Sequence, residues 1–287
     1  MEPKFLIEVI DVTKKYKTIT ALNNISFKVE KGEIFGFLGP NGAGKTTTLR
    51  ILTGQIKPTS GKASVCGYDI IRDRKNLKKN IGVVFEHQNL YHRLSGIHNL
   101  ELFRRLYGVS QKRVYEVLDM VELSQRAKEA VQNYSRGMKQ RLLIARALLH
   151  KPSVMFLDEP STGLDPHSAH QVRNMILNLS KEGVTVFLTT HYLEEAEFLC
   201  NRVAIIDRGT IIALNRTENL KNLYSSRTVN VKIEENGIAK VISLPVDSND
   251  TGDKIKEFLT GKILLSIHSE EPKLEEVFLR ITNRGNL

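Results

Sequence analysis

Four short apolar runs in the chain have the length and composition of buried β-strands. They lie at residues 33–38, 81–85, 153–157 and 184–188. Segments with apolar residues at helical spacing lie between several of them. Because continuous apolar strands that alternate with helices are typical of parallel sheets, the pattern predicts an α/β core.

Two further parts are predicted beside this core. Residues 5–12 and 25–29 have the composition of partly buried strands, and they predict an N-terminal antiparallel β subdomain. From residue 95 to 131 apolar side chains recur at helical spacing with no strong strand between them. This stretch predicts a helical insertion at about 88–145.

After residue 224 the pattern becomes that of a small α+β unit. Two strand-like runs flank Asn236-Gly237, and Asn-Gly is a strong hairpin signal. The predicted elements are strands at 228–234, 238–244 and 262–269, and helices at 253–259 and 273–281. We therefore predict two domains, 1–224 and 225–287, with nothing catalytic in the second.

The segment after the run at 33–38 is rich in glycine. It reads Gly39-Pro40-Asn41-Gly42-Ala43-Gly44-Lys45-Thr46-Thr47 and fills the pattern G-x-x-x-x-G-K-[ST] completely. Glycines let successive N–H groups point into one concavity, and the following helix N-terminus adds partial positive charge. Lys45 can reach the β- and γ-phosphates, and the Thr46 hydroxyl can ligate Mg²⁺. We expect a nucleoside triphosphate to bind here.

Acidic and histidine side chains follow three of the apolar runs, where ligand sites of α/β sheets collect. Asp158 and Glu159 follow the run at 153–157; the first is suited to Mg²⁺ and the second to deprotonating an attacking water. His191 follows the run at 184–188 and can contact a γ-phosphate, although a lone histidine there is more often a structural hydrogen-bonding group. Glu86 follows the run at 81–85. The convergence of these side chains on the glycine-rich loop favours function.

Two features have alternative interpretations on local grounds. Tyr16, predicted to lie in a polar loop, could stack on an adenine ring or cover the edge of the core. Ser135 is a good N-cap, and Gly137 follows it at the start of a helix, which is an anion-binding geometry but also an ordinary capped helix.

Composition is compatible with a soluble two-domain protein. The 287 residues are 41% hydrophobic and carry a net charge of +10. Residues 225–287 hold nine basic and ten acidic side chains, so an excess of +11 lies in residues 1–224. Nucleotide phosphates, lipid headgroups or nucleic acid could each use that excess. With neither a long apolar run nor a signal-like start, the chain is expected to be cytoplasmic.

Over about residues 4–220 the chain resembles the ATP-binding subunits of ABC transporters, because several motifs occur in that family's order. Gly39 to Thr47 is similar to the phosphate loop, and Tyr16 lies where the family has an adenine-stacking aromatic. Tyr134-Ser135-Arg136-Gly137-Met138 resembles the signature that the family writes most often Leu-Ser-Gly-Gly-Gln. Asp158 matches the Mg²⁺-linked acid of the family, and Glu159 matches its catalytic acid. Residues 161–165 resemble the D-loop, and His191 resembles the switch histidine.

The chain departs from the family pattern at two places. Glu86 stands where most members carry a glutamine that reaches Mg²⁺ and the attacking water, and Gln88 lies two residues too late to replace it. A carboxylate can also bind Mg²⁺, so we expect function to persist with altered coupling. Arg136 and Met138 replace the common glycine and glutamine of the signature. The departure at Glu86, the altered signature and the C-terminal extension are similar to features of exporter-type members whose membrane permease is a separate chain.

The resemblance implies a P-loop ATPase core, with ATP and Mg²⁺ as cofactors. It also implies a homodimer, or a dimer with a related subunit, in which Ser135 and Gly137 of one copy close over the ATP of the other. Glu159 would act as base, and His191 and Lys45 would steady the developing charge. A groove between Glu86 and the helical insertion would receive a helix of the permease.

The expected function is therefore to energise transport, and export is favoured over import. We expect the chain to lie at the inner face of the cell membrane and to have no nucleic-acid partner. A soluble ABC-type ATPase acting on the ribosome or nucleic acid is the alternative, motivated by the basic excess. Such proteins usually have two ATPase units or a long coiled-coil insertion, which this chain lacks. A P-loop kinase would leave Ser135 and His191 unexplained.

Overall fold

The structure is a computed structural model that describes residues 4–87, 89–224, 228–235, 238–246, 250–270 and 273–282. Contacts between residues divide the chain into two compact units, 1–215 and 216–287. Gln88 and the predicted Asn236-Gly237 turn lie outside the described residues. None of the described helices combines the length and the apolar character that crossing a membrane requires.

The first unit contains ten strands and seven helices in its described part. The strands are β1 (Phe5–Tyr16), β2 (Ile19–Glu30), β3 (Ile34–Leu38), β4 (Ser60–Val65), β5 (Tyr68–Asp69), β6 (Ile81–Val84), β7 (Val154–Asp158), β8 (Thr185–Thr190), β9 (Arg202–Asp207) and β10 (Thr210–Arg216). The helices are α1 (Lys45–Leu52), α2 (Arg74–Asn80), α3 (Gly96–Tyr107), α4 (Gln111–Met120), α5 (Arg136–Leu148), α6 (Pro166–Lys181) and α7 (Leu193–Leu199).

The six-stranded core sheet has the order β10-β9-β3-β8-β7-β6. Strands β3, β7 and β8 lie side by side and parallel in its middle, and every residue in them is buried. Their carboxyl ends therefore meet at one edge, where Leu38 pairs with Thr190 and Asp158 pairs with Thr189. The α/β core predicted from the apolar runs is confirmed.

A four-stranded antiparallel sheet, β2-β1-β4-β5, packs against this core. Phe27 of β2 stacks on Phe35 of β3 with ring centroids 5.4 Å apart, and Phe187 of β8 lies 6.0 Å from Phe27. These aromatic contacts join the two sheets in one hydrophobic core. The predicted antiparallel subdomain is confirmed.

Strand β1 extends beyond its predicted end, and the prediction of a loop at Tyr16 is wrong. Lys15 pairs with Thr20 and Tyr16 with Ile19, so Tyr16 is the last residue of β1. Backbone pairing with β2 maintains the strand although its side chains there are polar and largely exposed. A pattern of side-chain polarity does not register this kind of pairing.

The helical insertion lies between β6 and β7. Helices α3, α4 and α5 and two short 3₁₀ turns, Ser124–Arg126 and Val131–Asn133, occupy it. No strand longer than an isolated bridge, Ser95 to Ala130, occurs in the described residues between β6 and β7. The inward faces carry the apolar residues that recur at helical spacing, among them Leu100, Val114 and Val117.

The second unit is α+β, as predicted. Its elements are α8 (Thr217–Tyr224), β11 (Thr228–Glu235), β12 (Ile238–Pro245), α9 (Thr251–Leu259), β13 (Ile263–Glu270) and α10 (Leu274–Ile281). The sheet order is β12-β11-β13, with both pairs antiparallel. Helix α8 packs on α10, and Arg280 donates to the Tyr224 carbonyl at 2.6 Å. Helix α8 therefore groups with this unit, whereas the prediction placed it before the boundary.

Candidate functional site

The glycine-rich loop runs from the end of β3 into α1, as its sequence context requires. Gly39 must be glycine because an added Cβ would lie 2.3 Å from the Ile206 carbonyl oxygen. Gly44 has φ +112°, a conformation that side chains rarely adopt, and an added Cβ there would meet Leu22 and Ala21. The loop is thus held close to neighbouring backbone at both ends.

Helix α1 begins at Lys45 without a side-chain cap. The N–H groups of its first turn therefore have no intrahelical acceptor, and they add to the positive end of the helix dipole. A cavity of about 410 Å³ opens in front of them. Its lining residues are Ala21, Pro40, Asn41, Gly42, Gly44, Lys45, Thr46, Thr47, Glu86, Glu159, Thr162 and His191. The N–H groups of a helix start beside a cavity of this size suit an anion such as a triphosphate.

A buried charged cluster lies in this cavity. Lys45 Nζ is 3.2 Å from Glu159 Oε1 and also donates to the Gly39 carbonyl at 2.8 Å. His191 Nδ1 lies 2.8 Å from Glu159 Oε2. Glu159 itself has φ +52°, which is unusual for a residue with a side chain. The structure therefore places Glu159, which follows β7, in contact with Lys45 at the start of α1 and with His191, which follows β8.

Oxygen atoms that could bind a cation lie around Asp158. Thr46 Oγ1 donates to Asp158 Oδ1 at 3.4 Å, and Thr189 Oγ1 donates to the same oxygen at 2.6 Å. Burial raises the pKa of Asp158 above its ordinary value of 3.8, these hydroxyls oppose that effect, and the charges of Glu159 and Glu86 add to it. A cation at this place would offset the repulsion among the three carboxylates.

The donor set fits Mg²⁺ when a nucleotide supplies the rest. Mg²⁺ prefers hard oxygen ligands, and proteins usually hold it with one or two carboxylates plus substrate phosphates. Thr46, Asp158 and Glu86 offer one hydroxyl and two carboxylates. Among the described residues no group of three or more His, Cys, Asp or Glu could hold a metal alone. The site therefore suits a metal that arrives with phosphates.

Tyr16 does not join this cavity. The residue is 44% exposed, and Lys14 Nζ lies 4.9 Å from the centroid of its ring. It sits on the β1–β2 hairpin, and Ala21 of β2 lines the cavity. An exposed ring on a neighbouring hairpin is compatible with stacking on a base and with covering a surface edge, so both interpretations of Tyr16 stand.

Ser135 caps α5, as its sequence position predicts. Its hydroxyl accepts from the Met138 N–H at 3.1 Å, and its side chain is exposed. Gly137 is buried, and an added Cβ there would lie 2.4 Å from Ser168 Oγ of α6. Neither residue is among those that line the cavity at Lys45 in the described part of the chain. This helix start therefore lies outside the cavity at Lys45.

Two contacts at the candidate site have no counterpart among the predictions from the sequence. Thr189 holds Asp158 and also lies opposite it in the sheet, while Thr162 Oγ1 donates to Glu159 Oε2 at 3.3 Å. The available signal for Thr189 was its polarity, because it directly follows the apolar run at 184–188. Thr162 carries no such signal because its contact depends on the turn after Glu159.

Two adjoining cavities form a groove on the first unit. One, of about 450 Å³, includes Glu86, Asp158 and Phe85; the other, of about 360 Å³, includes Phe103, Leu106 and Tyr107 of α3. Gln55 lines both. Leu106 is 75% exposed, which is high for a leucine on a helix with a buried face. We call these two cavities together the α3 groove.

Arg146 connects the α3 groove to the helix that Ser135 caps. It lies on α5 and donates to the Asn89 carbonyl at 2.9 Å, close to Glu86 in the chain. Its guanidinium also lies 4.6 Å from the centroid of the Phe103 ring. One partly buried side chain on α5 therefore contacts both the segment after Glu86 and helix α3.

Comparison with known proteins gives consistent matches. A family model described as ABC transporter matches residues 22–162. The linearmycin resistance ATP-binding protein LnrL of Bacillus subtilis (strain 168) is 35% identical, over 97% of this chain and 99% of the relative. The bacitracin transport ATP-binding protein BcrA of Bacillus licheniformis is 34% identical, over 98% of this chain and 99% of the relative.

A solved structure is also similar. It is described as a dimeric post-hydrolysis state of the ATP-binding cassette MJ0796 bound to ADP and Pi. The match has a TM-score of 0.66 and 30% identity, and it covers 73% of this chain and 98% of that one.

Proposed function

The chain belongs to the ABC transporter family as an ATP-binding subunit, and from this premise we propose that it energises export through a separate membrane permease. It is an ATPase of that family. The observation that supports the proposal most is the continuity of the site: Glu86 lines both the cavity at Lys45 and the α3 groove. A partner in the groove would touch the residue that also faces the nucleotide.

We propose that ATP is enclosed between two copies of the chain. Ser135 and Gly137 begin a capped helix, and neither residue lines the cavity at Lys45 in the described part of the chain. In a head-to-tail dimer the same helix start would meet the γ-phosphate of the other copy, where it would stabilise negative charge. The cassette matched above is described as dimeric, which supports this arrangement.

The contacts of Glu159 suggest how the chain prepares for hydrolysis. Lys45 is paired with Glu159 at 3.2 Å, so a γ-phosphate that takes Lys45 frees Glu159 Oε1. Glu159 would then accept a proton from the attacking water while His191, 2.8 Å from Oε2, keeps the carboxylate oriented. Lys45 and His191 would steady the charge that develops on the phosphate.

Mg²⁺ would be held by Thr46 and Asp158, with Glu86 beside them. When bound, the metal would supply charge neutralisation at the phosphate oxygens. Thr189 keeps Asp158 in position by a 2.6 Å hydrogen bond. Glu86 adds a carboxylate near Asp158, which strengthens the attraction for a divalent cation.

The α3 groove is the proposed docking place for a cytoplasmic helix of the permease. Its exposed apolar residues suit the apolar face of such a helix. Arg146 would carry a change in the groove to α5, because it contacts Asn89, Phe103 and its own helix. Dimer closure at Ser135 would thereby be linked to movement of the permease. A peripheral position on the inner face of the cell membrane follows from this docking.

The proposal favours export over the action on ribosomes or nucleic acid. The relatives named above are described by resistance to linearmycin and by transport of bacitracin. We therefore assign the basic excess of residues 1–224 no nucleic-acid role, and the transported compound would be selected by the permease.

Co-purification from detergent-solubilised membranes tests the permease assignment. We expect the tagged chain to recover a polytopic membrane protein, and Leu106→Glu to lose it because a charge would enter the apolar groove. Leu106→Met, which keeps the apolar surface, is the matched control. A chain found only in the soluble fraction, with ATP hydrolysis stimulated by RNA or DNA, would refute the assignment.

A further inference from the structure

Glu195 is a buried acid that the proposed reaction does not use. It lies on α7, four residues after His191, and only 3% of its surface is exposed. Within the described chain neither of its carboxyl oxygens has a hydrogen-bond partner. The Ser161 hydroxyl, in the turn after Glu159, is also buried without a partner in that part of the chain.

The surroundings of Glu195 favour its neutral form. Burial raises the pKa of Glu195 above its ordinary value of 4.5, and the nearby Ser161 and Thr190 hydroxyls, which lie beside the carboxyl without hydrogen-bonding geometry, act against burial. The charge of Glu159 raises this pKa further. Among the other ionisable groups, Arg173 of α6 lowers it, and the Cys200 thiol at the end of α7 faces the same carboxyl. An ionised carboxylate without hydrogen bonds would be costly to bury.

A neutral carboxyl matches the two hydroxyls beside it. It offers one O–H donor and one carbonyl acceptor. Thr190 Oγ1 already accepts from the Tyr192 N–H at 3.0 Å, so its own O–H is available to donate to the Glu195 carbonyl. The Ser161 oxygen can accept from the Glu195 O–H. Small side-chain rotations would satisfy all three groups at once.

We propose that Glu195 is a positioning residue that joins the turn after Glu159 to the strand before His191. Ser161 follows Glu159 by two residues, and Thr190 immediately precedes His191. A carboxyl held between them fixes the spacing of Glu159 and His191 from behind the cavity. The inference rests on the proposed roles of these two residues and adds a support that lies outside the cavity lining.

Arg173 provides the competing explanation. If Glu195 were ionised and paired with Arg173, glutamine could not replace it because the charge would be lost. If Glu195 is a neutral hydrogen-bonding link, glutamine supplies a comparable donor and acceptor in a similar volume. The glutamine variant therefore separates the two explanations.

The experiment measures kcat, KM and the pH dependence of kcat for ATP hydrolysis by the full chain. We expect Glu195→Leu to lower kcat by about 10- to 100-fold through misplacement of Glu159, with little change in ATP affinity. Glu195→Gln should keep most of kcat. In the wild type kcat should fall as rising pH ionises Glu195, and Glu195→Gln should retain its kcat to higher pH. Glu194→Gln, an exposed neighbour on α7, is the matched control and should leave the profile unchanged.

Two results would overturn the proposal. One is a loss in Glu195→Gln as large as that in Glu195→Leu, which would indicate the ion pair with Arg173. The other is a fall in kcat at high pH that is the same in Glu195→Gln as in the wild type. This comparison does not use Glu195→Leu, so it decides even if that variant does not fold. Failure of the proposed function is distinguishable, because Glu159→Gln would then hydrolyse ATP normally.

Discussion

Glu159→Gln should bind ATP, trap a dimer and lower the rate of hydrolysis by about 10³-fold, within the range that a general base contributes. Glutamine nearly matches the shape of glutamate but cannot accept a proton from water. It also removes the negative charge that pairs with Lys45 at 3.2 Å, so Lys45 becomes free for the phosphate. ATP affinity should therefore be at least as high as in the wild type. Single-turnover experiments measure the rate of hydrolysis, and light scattering with MgATP detects the trapped dimer.

The control for this variant is Glu182→Gln, an exposed acid that follows α6. It should hydrolyse ATP at the wild-type rate and show no trapped dimer. Turnover by Glu159→Gln at the wild-type rate would remove Glu159 as the base, and the contacts of Lys45 and His191 would then need another explanation.

Lys45→Ala should lower ATP affinity by about 100-fold, equivalent to about 2.8 kcal/mol. The ammonium group is the cation that the cavity offers to the β- and γ-phosphates. Its removal also takes away the 3.2 Å cationic partner of the buried Glu159, and the negative charge left there would repel the incoming phosphate. The dissociation constant of a fluorescent ATP analogue, measured by titration, gives the effect directly.

Thermal unfolding of the same variant separates lost binding from lost folding. The loss of a buried ion-pair partner should lower the unfolding temperature, so Lys45→Met, which keeps the apolar stem, is measured beside it. Lys181→Ala, at the exposed end of α6, controls for charge removal. ATP affinity unchanged in both Lys45 variants would contradict the assignment of the phosphate loop.

The sequence was sufficient for the central sheet because each middle strand is apolar throughout. A run such as 153–157 has one plausible environment, between two layers, and the acid after it must then lie at the sheet edge. The cap at Ser135 was predictable for a similar reason, since a serine before a helical pattern satisfies a local N–H. Both predictions depend on neighbours in the chain.

Features that depend on distant neighbours were not predictable. The 3.2 Å contact between Lys45 and Glu159 joins the start of α1 to the residue after β7, and the φ of +52° at Glu159 has no signal in its sequence context. The polar side chains around Tyr16 predict a loop there, whereas pairing with β2 decides its conformation. The burial of Glu195 likewise arises from the packing of α7 beside β8, since Glu194 next to it is exposed.

The rate of ATP hydrolysis per subunit, measured over a dilution series of the purified chain with saturating MgATP, tests the two-copy pocket most directly. If Ser135 and Gly137 of one copy complete the site of the other, a tenfold dilution in the dilute range should lower this rate about tenfold, because dimers form by mass action. A rate that stays constant on dilution, from a species with the mass of a monomer, would contradict the account.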